Sequence, residues 1–137
     1  MAGVIGIGGI FIKYKNPNEM RSWYKAVLGM TTNDYGVLFS FNNPNNKVGY
    51  LQWSPFEKES DYFGDKQQQT MLNLRVSELE KFKVILIAHN VKIVDEIETY
   101  DYGKFLHIED PEGNRIELWE PVDDVFTNGK DDVMPML

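Results

Sequence analysis

The sequence has no cysteine, only two histidines and few basic residues. Without cysteine, the chain cannot form disulfides, thiolate metal sites or a thiol nucleophile. The 14 Lys and Arg are outnumbered by 21 Asp and Glu, and the net charge of −7 repels phosphate backbones and anionic lipid. We therefore expect no nucleic-acid partner.

Long apolar runs are also missing. No stretch approaches the roughly 18 apolar residues of a membrane-spanning helix, and the start of the sequence lacks a basic leader. These absences predict a cytoplasmic protein with no membrane partner. The composition that is present, 42% hydrophobic and 13% aromatic residues in 137, is enough to build the core of one domain.

The pattern of strands and helices repeats. Each half contains an alternating strand, an amphipathic helix with an N-terminal signal, and a strand pair joined by a turn that contains proline. The helix signals are Asn16-Pro17 with Glu19 and Ser77 with Glu80, and the helices end at Gly29 and Asn90. Strands are predicted at residues 10–15, 37–41, 48–53, 71–76, 91–97, 105–109 and 115–119, with a weaker candidate at 31–34. We therefore expect an α+β domain of two βαβββ modules.

This repeat divides the single domain, residues 1–137, into four parts. They are module 1 (about 5–55), a polar linker (about 56–69) long enough to act as a lid, module 2 (about 70–121) and an acidic tail (about 122–137). The tail is interpreted as a short arm or a frayed end. Paired sheets, each with its helix on one face, would leave a curved face and form a cupped, incomplete barrel.

The second hairpin brings a histidine next to a carboxylate. The run from Asp110 to Asn114 predicts a three-residue loop, and counting outward from it places His107 opposite Glu117. This pair could be a catalytic acid and base, because a carboxylate raises the imidazole pKa, or an ordinary cross-strand hydrogen bond. A register slip of one residue would separate the two side chains.

Two motifs carry a family resemblance. They are Trp23-Tyr24 with Leu28-Gly29 on the first helix, and Asp-Pro-Glu-Gly-Asn-Arg-Ile-Glu-Leu at residues 110–118. In this order and spacing the sequence resembles the vicinal oxygen chelate superfamily, which includes glyoxalase I, bleomycin and fosfomycin resistance proteins and extradiol dioxygenases. The resemblance covers about residues 10–121 and implies the cupped fold of two modules and, by family habit, a homodimer.

The resemblance also implies one divalent metal in the cup. Its ligands would be a residue at the start of each module's first strand and one on each module's last strand. Carried over by position, these are Gly9, Met71, either Tyr50 or Leu51, and Glu117. Only Glu117 offers a carboxylate, so no cofactor is expected; a divalent metal held by His107, Glu117 and further donors is the alternative.

Other side chains are predicted to face the cup and contact a ligand. Groups suited to an anion or a carbonyl are Lys13, Asn73 and Arg75. Polar groups of the first hairpin are Ser40, Tyr50 and Gln52, and aromatic walls are Phe11 and Trp119. Each has an ordinary alternative, because strand ends carry solvated charges and strand aromatics usually belong to the core.

The function expected from this set is binding of a small organic molecule in the cup without a metal, as in proteins of the bleomycin-resistance type. The alternative is an enzyme, a lyase, isomerase or dioxygenase relative, that uses His107 and Glu117 as acid and base or as partial metal ligands. A third hypothesis is a scaffold whose cup is filled by its own side chains. The sequence does not identify the ligand.

Overall fold

The computed structural model describes residues 1–45, 47–127 and 133–136. Within them the strands are β1 Gly3–Tyr14, β2 Val37–Asn42, β3 Val48–Glu57, β4 Thr70–Ser77, β5 Lys92–Ile93, β6 Glu98–Tyr100, β7 Gly103–Glu109, β8 Arg115–Pro121 and β9 Val133–Pro135. The helices are α1 Pro17–Leu28, α2 Leu79–Ala88 and the short α3 Asp124–Thr127. No helix of this described part has the length and hydropathy that crossing a membrane requires.

The strands form one mixed sheet in the order β5-β7-β8-β4-β1-β3-β2-β9, with β6 also paired to β7. At its centre, β1 and β4 are antiparallel, and each lies parallel to the last strand of its own half, β3 or β8. The hairpins β2–β3 and β7–β8 complete the two halves. The predicted α+β fold is confirmed, and the two repeats are related across the β1–β4 pair.

The first half differs from the predicted pattern in its outer strand. Residues 31–34 contribute only an isolated bridge between Asn33 and Gly36 instead of a strand. The outer position is taken by β9 of the tail, which pairs parallel with β2. The tail, which was expected from the sequence to be a short arm or a frayed end, therefore supplies a strand of the sheet. Asn46 of the predicted first turn, residues 128–132 and residue 137 lie outside the described residues.

The helix ends follow the sequence signals, whereas the side-chain caps do not. Gly29 ends α1 in the left-handed region at φ 70°, and Asn90 after α2 has φ 59°. Asn16 occupies the N-cap of α1 without a side-chain capping bond, so the predicted capping box is wrong there. The second box is wrong as well, because α2 begins after Glu78 and Leu79 N–H donates to Glu120 Oε1 at 2.7 Å.

Both long helices pack on the same face of the sheet. In the second half, α2 covers an aliphatic cluster of Val76, Leu79, Leu86, Leu106, Ile108 and Leu118. In the first half, α1 contributes Tyr24, which stacks on Trp53 with centroids 4.4 Å apart. Since strand side chains alternate between faces, the residues between these core positions point the other way. We call that side the helix-free face; it corresponds to the predicted cup.

Candidate functional site

A buried polar network lies on the helix-free face at strands β4, β7 and β8. The predicted register is confirmed, because His107 pairs directly with Glu117. His107 Nε2 lies 2.8 Å from Glu117 Oε2, and Asn73 Nδ2 donates to Glu117 Oε1 at 2.6 Å. Glu117 is only 2% exposed, so its carboxylate is stabilised by hydrogen bonds from these partners instead of from water.

Two residues from outside the hairpin complete the network. Asp95, between β5 and β6, accepts from the His107 backbone N–H at 2.8 Å, and its other oxygen lies 2.7 Å from His107 Nδ1. The Tyr62 hydroxyl, from the predicted linker, donates to Glu117 Oε2. Both ring nitrogens of His107 are thus engaged by carboxylates, and both oxygens of Glu117 accept hydrogen bonds.

These contacts set the charge of the site. Burial lowers the pKa of the His107 imidazole, but the hydrogen bonds and negative charges of Glu117 and Asp95 outweigh burial and raise the pKa above its ordinary value of 6.5. Burial, followed by the charge and hydrogen bond of Glu117, raises the pKa of the Tyr62 phenol. The arrangement therefore favours a protonated imidazole between two carboxylates and a neutral phenol as donor.

An open cleft of about 500 Å³ adjoins this network. We call it the His107 cleft, and its lining residues are Asp61, Tyr62, Asp95, Glu98, Tyr100, Tyr102, Phe105, His107 and Arg115. The rings of Tyr100 and Tyr102 are stacked with centroids 5.3 Å apart and only 4° between their planes. Phe105 lies against both rings. The cleft thus combines an aromatic wall with titratable groups.

A second cluster on the same face is closed by the tail. Arg75 is 2% exposed, and its Nη1 and Nη2 donate to the two carboxylate oxygens of Asp123 at 2.9 and 2.6 Å. Phe126 of α3 lies 5.3 Å from the Tyr50 ring and 6.1 Å from the Trp119 ring. We call these five residues the Arg75 site. It brings together three of the predicted ligand contacts: Tyr50, Arg75 and Trp119.

The other predicted ligand contacts are engaged elsewhere. Phe11 packs in a small core with Phe63 of the linker, and the buried Lys13 donates to Lys66 O at 3.1 Å. Gln52 donates to two backbone carbonyls, Tyr35 O and Trp53 O. Ser40 lies at the β2–β9 junction, where its carbonyl accepts from Met136 N–H. Part of the predicted cup is therefore occupied by the linker and the tail.

The model of the Glyoxalase/Bleomycin resistance protein/Dioxygenase superfamily matches residues 6–118, which is most of the chain. The chain belongs to this superfamily. The match includes the β2–β3 hairpin, both long helices and most of the β7–β8 hairpin, and it confirms the family resemblance recognised from the two sequence motifs.

Solved structures with the superfamily fold align over nearly the whole chain. Methylmalonyl-CoA epimerase from Mycobacterium tuberculosis has a TM-score of 0.61 and 20% identity, covering 90% of this chain and 93% of its own. A Streptomyces coelicolor methylmalonyl-CoA epimerase variant in complex with 2-nitronate-propionyl-CoA has a TM-score of 0.64 and 13% identity, with 88% and 99% covered. A superfamily member from Vibrio splendidus 12B01 has a TM-score of 0.51 and 13% identity, with 86% and 99% covered. No curated protein matches by sequence. At these sequence identities, the structural likeness shows a shared fold and nothing more.

The superfamily's metal positions do not fit a metal in this chain. Gly9 has no side chain, and Met71 is packed with Phe11 and Phe63 in an apolar cluster. The Tyr50 hydroxyl lies 3.1 Å from Thr127 Oγ1, whereas Glu117 is hydrogen-bonded to three neighbours. Across residues 1–45, 47–127 and 133–136, no group of three or more His, Cys, Asp or Glu side chains is arranged to hold an ion.

Sequence reasoning missed Tyr62 and Asp95 of the network, Asp123 and Phe126 of the Arg75 site, and the aromatic wall of the His107 cleft, which is Tyr100, Tyr102 and Phe105. Tyr62 had a signal, because the adjacent pair Tyr62-Phe63 interrupts an otherwise polar stretch and such a pair anchors a loop to a core. Asp95 had none, since it lies in a loop without periodicity. Asp123 lies 48 residues from Arg75 along the chain, and no local pattern connects it or Phe126 to Arg75.

Proposed function

We propose that this superfamily member binds a small organic molecule in the His107 cleft, without a metal. The observation that supports this most directly is the aromatic wall of Tyr100, Tyr102 and Phe105 beside the buried His107 network. A volume of about 500 Å³ lies within the roughly 300–1,000 Å³ of small-molecule sites. Such sites typically join apolar walls with a few polar groups that orient the ligand.

The charges of the cleft narrow the ligand class. Three carboxylates line it, Asp61, Asp95 and Glu98, against two cationic groups, His107 and Arg115. Arg115 also donates to Tyr62 O at 3.2 Å. An excess of negative charge repels anions and attracts cations, and aromatic faces add to the attraction for a cation. The ligand class is therefore a planar aromatic molecule that is neutral or positively charged.

Binding is favoured over catalysis by the engagement of His107. Both of its ring nitrogens contact carboxylates, at 2.7 and 2.8 Å, so neither is directed at a molecule in the cleft. A proton transfer to a substrate would first have to break one of these contacts. A ligand, in contrast, can rest against the aromatic wall and the network without disturbing it.

The test is a titration with two probes of nearly the same shape and opposite charge, benzamidine and benzoate. Two-dimensional NMR of the isotopically labelled protein follows the signals of Tyr100, Tyr102, Phe105 and His107. Benzamidine should shift them progressively, and benzoate should leave them in place. Equal shifts with both probes, or none with either, would contradict the proposed ligand class. Native mass spectrometry of the freshly purified protein would identify a co-purified ligand.

A second candidate function is proton-transfer catalysis. The hydrogen-bonded chain Asp95–His107–Glu117 supports it, because general acid–base catalysis uses a group that titrates near neutral pH within hydrogen-bond reach of its partners. The shared fold with methylmalonyl-CoA epimerases supplies a probe, a methylmalonyl thioester incubated in D₂O. Deuterium incorporation at C2 that disappears in His107→Gln would support catalysis. No exchange above the protein-free rate would leave binding as the function.

We also propose that the protein is a homodimer that uses β1. Residues 3–8 pair with β4, and within the described residues their other edge has no strand partner. Their side chains Val4, Ile5 and Ile7 are exposed and carry no charge, and an unprotected apolar edge favours pairing with another strand. Light scattering should give twice the monomer mass, and Ile7→Glu should give the monomer. The matched control is Val84→Glu, at an exposed position of α2.

A further inference from the structure

The Arg75 site has the chemistry of a carboxylate-binding site, and its carboxylate comes from the chain itself. Arg75 presents two parallel N–H groups to the two oxygens of Asp123, the bidentate geometry by which arginine recognises carboxylates. A third contact runs from Nη1 to Tyr50 O at 3.2 Å. The contact with Tyr50 O holds the guanidinium independently of Asp123.

Aromatic rings surround this fork. The Arg75 guanidinium carbon lies 5.3 Å from the Phe41 ring centroid and 5.6 Å from that of Trp119. Trp119 in turn stacks on Phe105 with centroids 6.0 Å apart and is fixed by a hydrogen bond from Nε1 to Tyr102 O. These rings and Tyr50 form an apolar surface beside the cation. The surface suits a ring attached to the bound carboxylate.

The tail supplies both parts of such a ligand. Asp123 provides the carboxylate, and three residues later Phe126 provides a ring against Tyr50 and Trp119. Thr127 adds one hydrogen bond to the Tyr50 hydroxyl. The segment that carries these groups is short: it consists of Asp123 and the four-residue α3 that follows it. Asp123 is partly exposed, with 21% of its side chain accessible, whereas Arg75 has 3%.

We propose that the Arg75 site is a second ligand site, for a small aromatic carboxylate, and that Asp123 and Phe126 occupy it as an internal ligand. A free carboxylate and Asp123 then compete for the same fork. This inference does not depend on the proposed function, because the His107 cleft is lined by other residues and favours the opposite charge.

The experiment titrates benzoate into the full chain by calorimetry and compares two neighbouring substitutions. Asp123→Asn removes the internal carboxylate, and Asp124→Asn removes the same charge one residue further on, from an exposed side chain. Benzoate should bind Asp123→Asn at least about tenfold more tightly than it binds the natural chain or Asp124→Asn. Benzamidine should show no such gain.

The location is checked with a second change in the same background. Adding Arg75→Gln to Asp123→Asn should abolish the gain, and Tyr100→Ala in the His107 cleft should preserve it. Equal benzoate affinity in folded Asp123→Asn and Asp124→Asn would overturn the inference. If Asp123→Asn alone does not fold, benzoate must restore its cooperative thermal transition, and a failure to restore it would overturn the inference as well.

Discussion

The His107 cleft and the Arg75 site lie on the same face of one sheet, where Phe105 of the cleft stacks on Trp119 of the Arg75 site, yet one is open and the other closed. The cleft has an excess of carboxylates around a histidine, whereas the Arg75 site has one arginine whose counter-ion is Asp123. Loops leave the first accessible, and α3 covers the second. Segments outside the two repeats therefore decide which part of the helix-free face is open and which is covered.

The two sites also differ in how their charges are neutralised. The carboxylate of Glu117 is stabilised by several donors that lie on strands and a loop, His107, Asn73 and Tyr62. Among the described residues, Arg75 has one anionic partner, Asp123 of the tail. We therefore expect substitutions in the network to cost mainly stability, and substitutions at the Arg75 site to change ligand preference as well.

The largest effect is expected from Glu117→Gln. It removes the buried charge that His107 and Tyr62 face, and breaking a buried pair costs about 4 kcal/mol. Urea unfolding followed by circular dichroism measures the loss. Glu59→Gln, at an exposed position, should stay within about 0.5 kcal/mol of the natural chain. A loss as small as that of the control would mean that the network does not stabilise the fold.

Asp123→Asn should cost less, about 2 kcal/mol, because Asp123 is partly exposed although its partner Arg75 is buried. The same urea series measures it, with Asp124→Asn as the control. Added benzoate should recover part of the lost free energy of unfolding in Asp123→Asn only. A loss greater than that of Glu117→Gln would reverse the proposed ranking of the two sites.

Prediction from sequence succeeded where the determinants are local. The facing of His107 and Glu117 follows from the hairpin turn, in which Gly113 adopts φ 85°, so a few neighbouring residues fix the register. The repeated order of elements likewise predicted the fold, since each unit carries its own strand, helix and hairpin signals. The helix ends at Gly29 and Asn90 are local in the same sense.

Prediction failed where long-range packing decides. The strand expected at 31–34 is replaced by β9, and no local pattern shows that a tail strand pairs more favourably with β2. The second capping box failed because Glu120, from a distant strand, caps α2. The ligand contacts expected of Lys13, Arg75 and Phe11 stay predictions; the linker and the tail, whose contacts with them no local pattern indicates, pack against all three.

A moderate effect on binding is expected from Tyr100→Ala. The substitution removes one of the two stacked rings in the His107 cleft. Because an aromatic contact to the ligand is lost, benzamidine should bind about tenfold more weakly. Calorimetry measures the change. Tyr35→Ala, at an exposed tyrosine outside the cleft, is the control. Because Tyr100 is absent from the Arg75 site, benzoate binding to Asp123→Asn should be unaffected; a parallel loss would show that the two sites are coupled.

The smallest and most specific effect is the pH dependence of the cleft. The folded pKa of His107 is raised, so its contribution to stability is complete below the unfolded value of 6.5 and is lost as pH rises through the folded pKa. The free energy of unfolding, measured by urea at a series of pH values, should therefore decrease over this window in the natural chain and change less in His107→Gln.

Asp95→Asn should lower the NMR titration midpoint of His107, because it removes one of the carboxylates that stabilise the imidazolium. Asp34→Asn, at an exposed aspartate, should leave the midpoint in place. A midpoint at or below 6.5 in the natural chain would mean that the two carboxylates do not hold a charged imidazole, and the electrostatic contrast with the Arg75 site would then disappear.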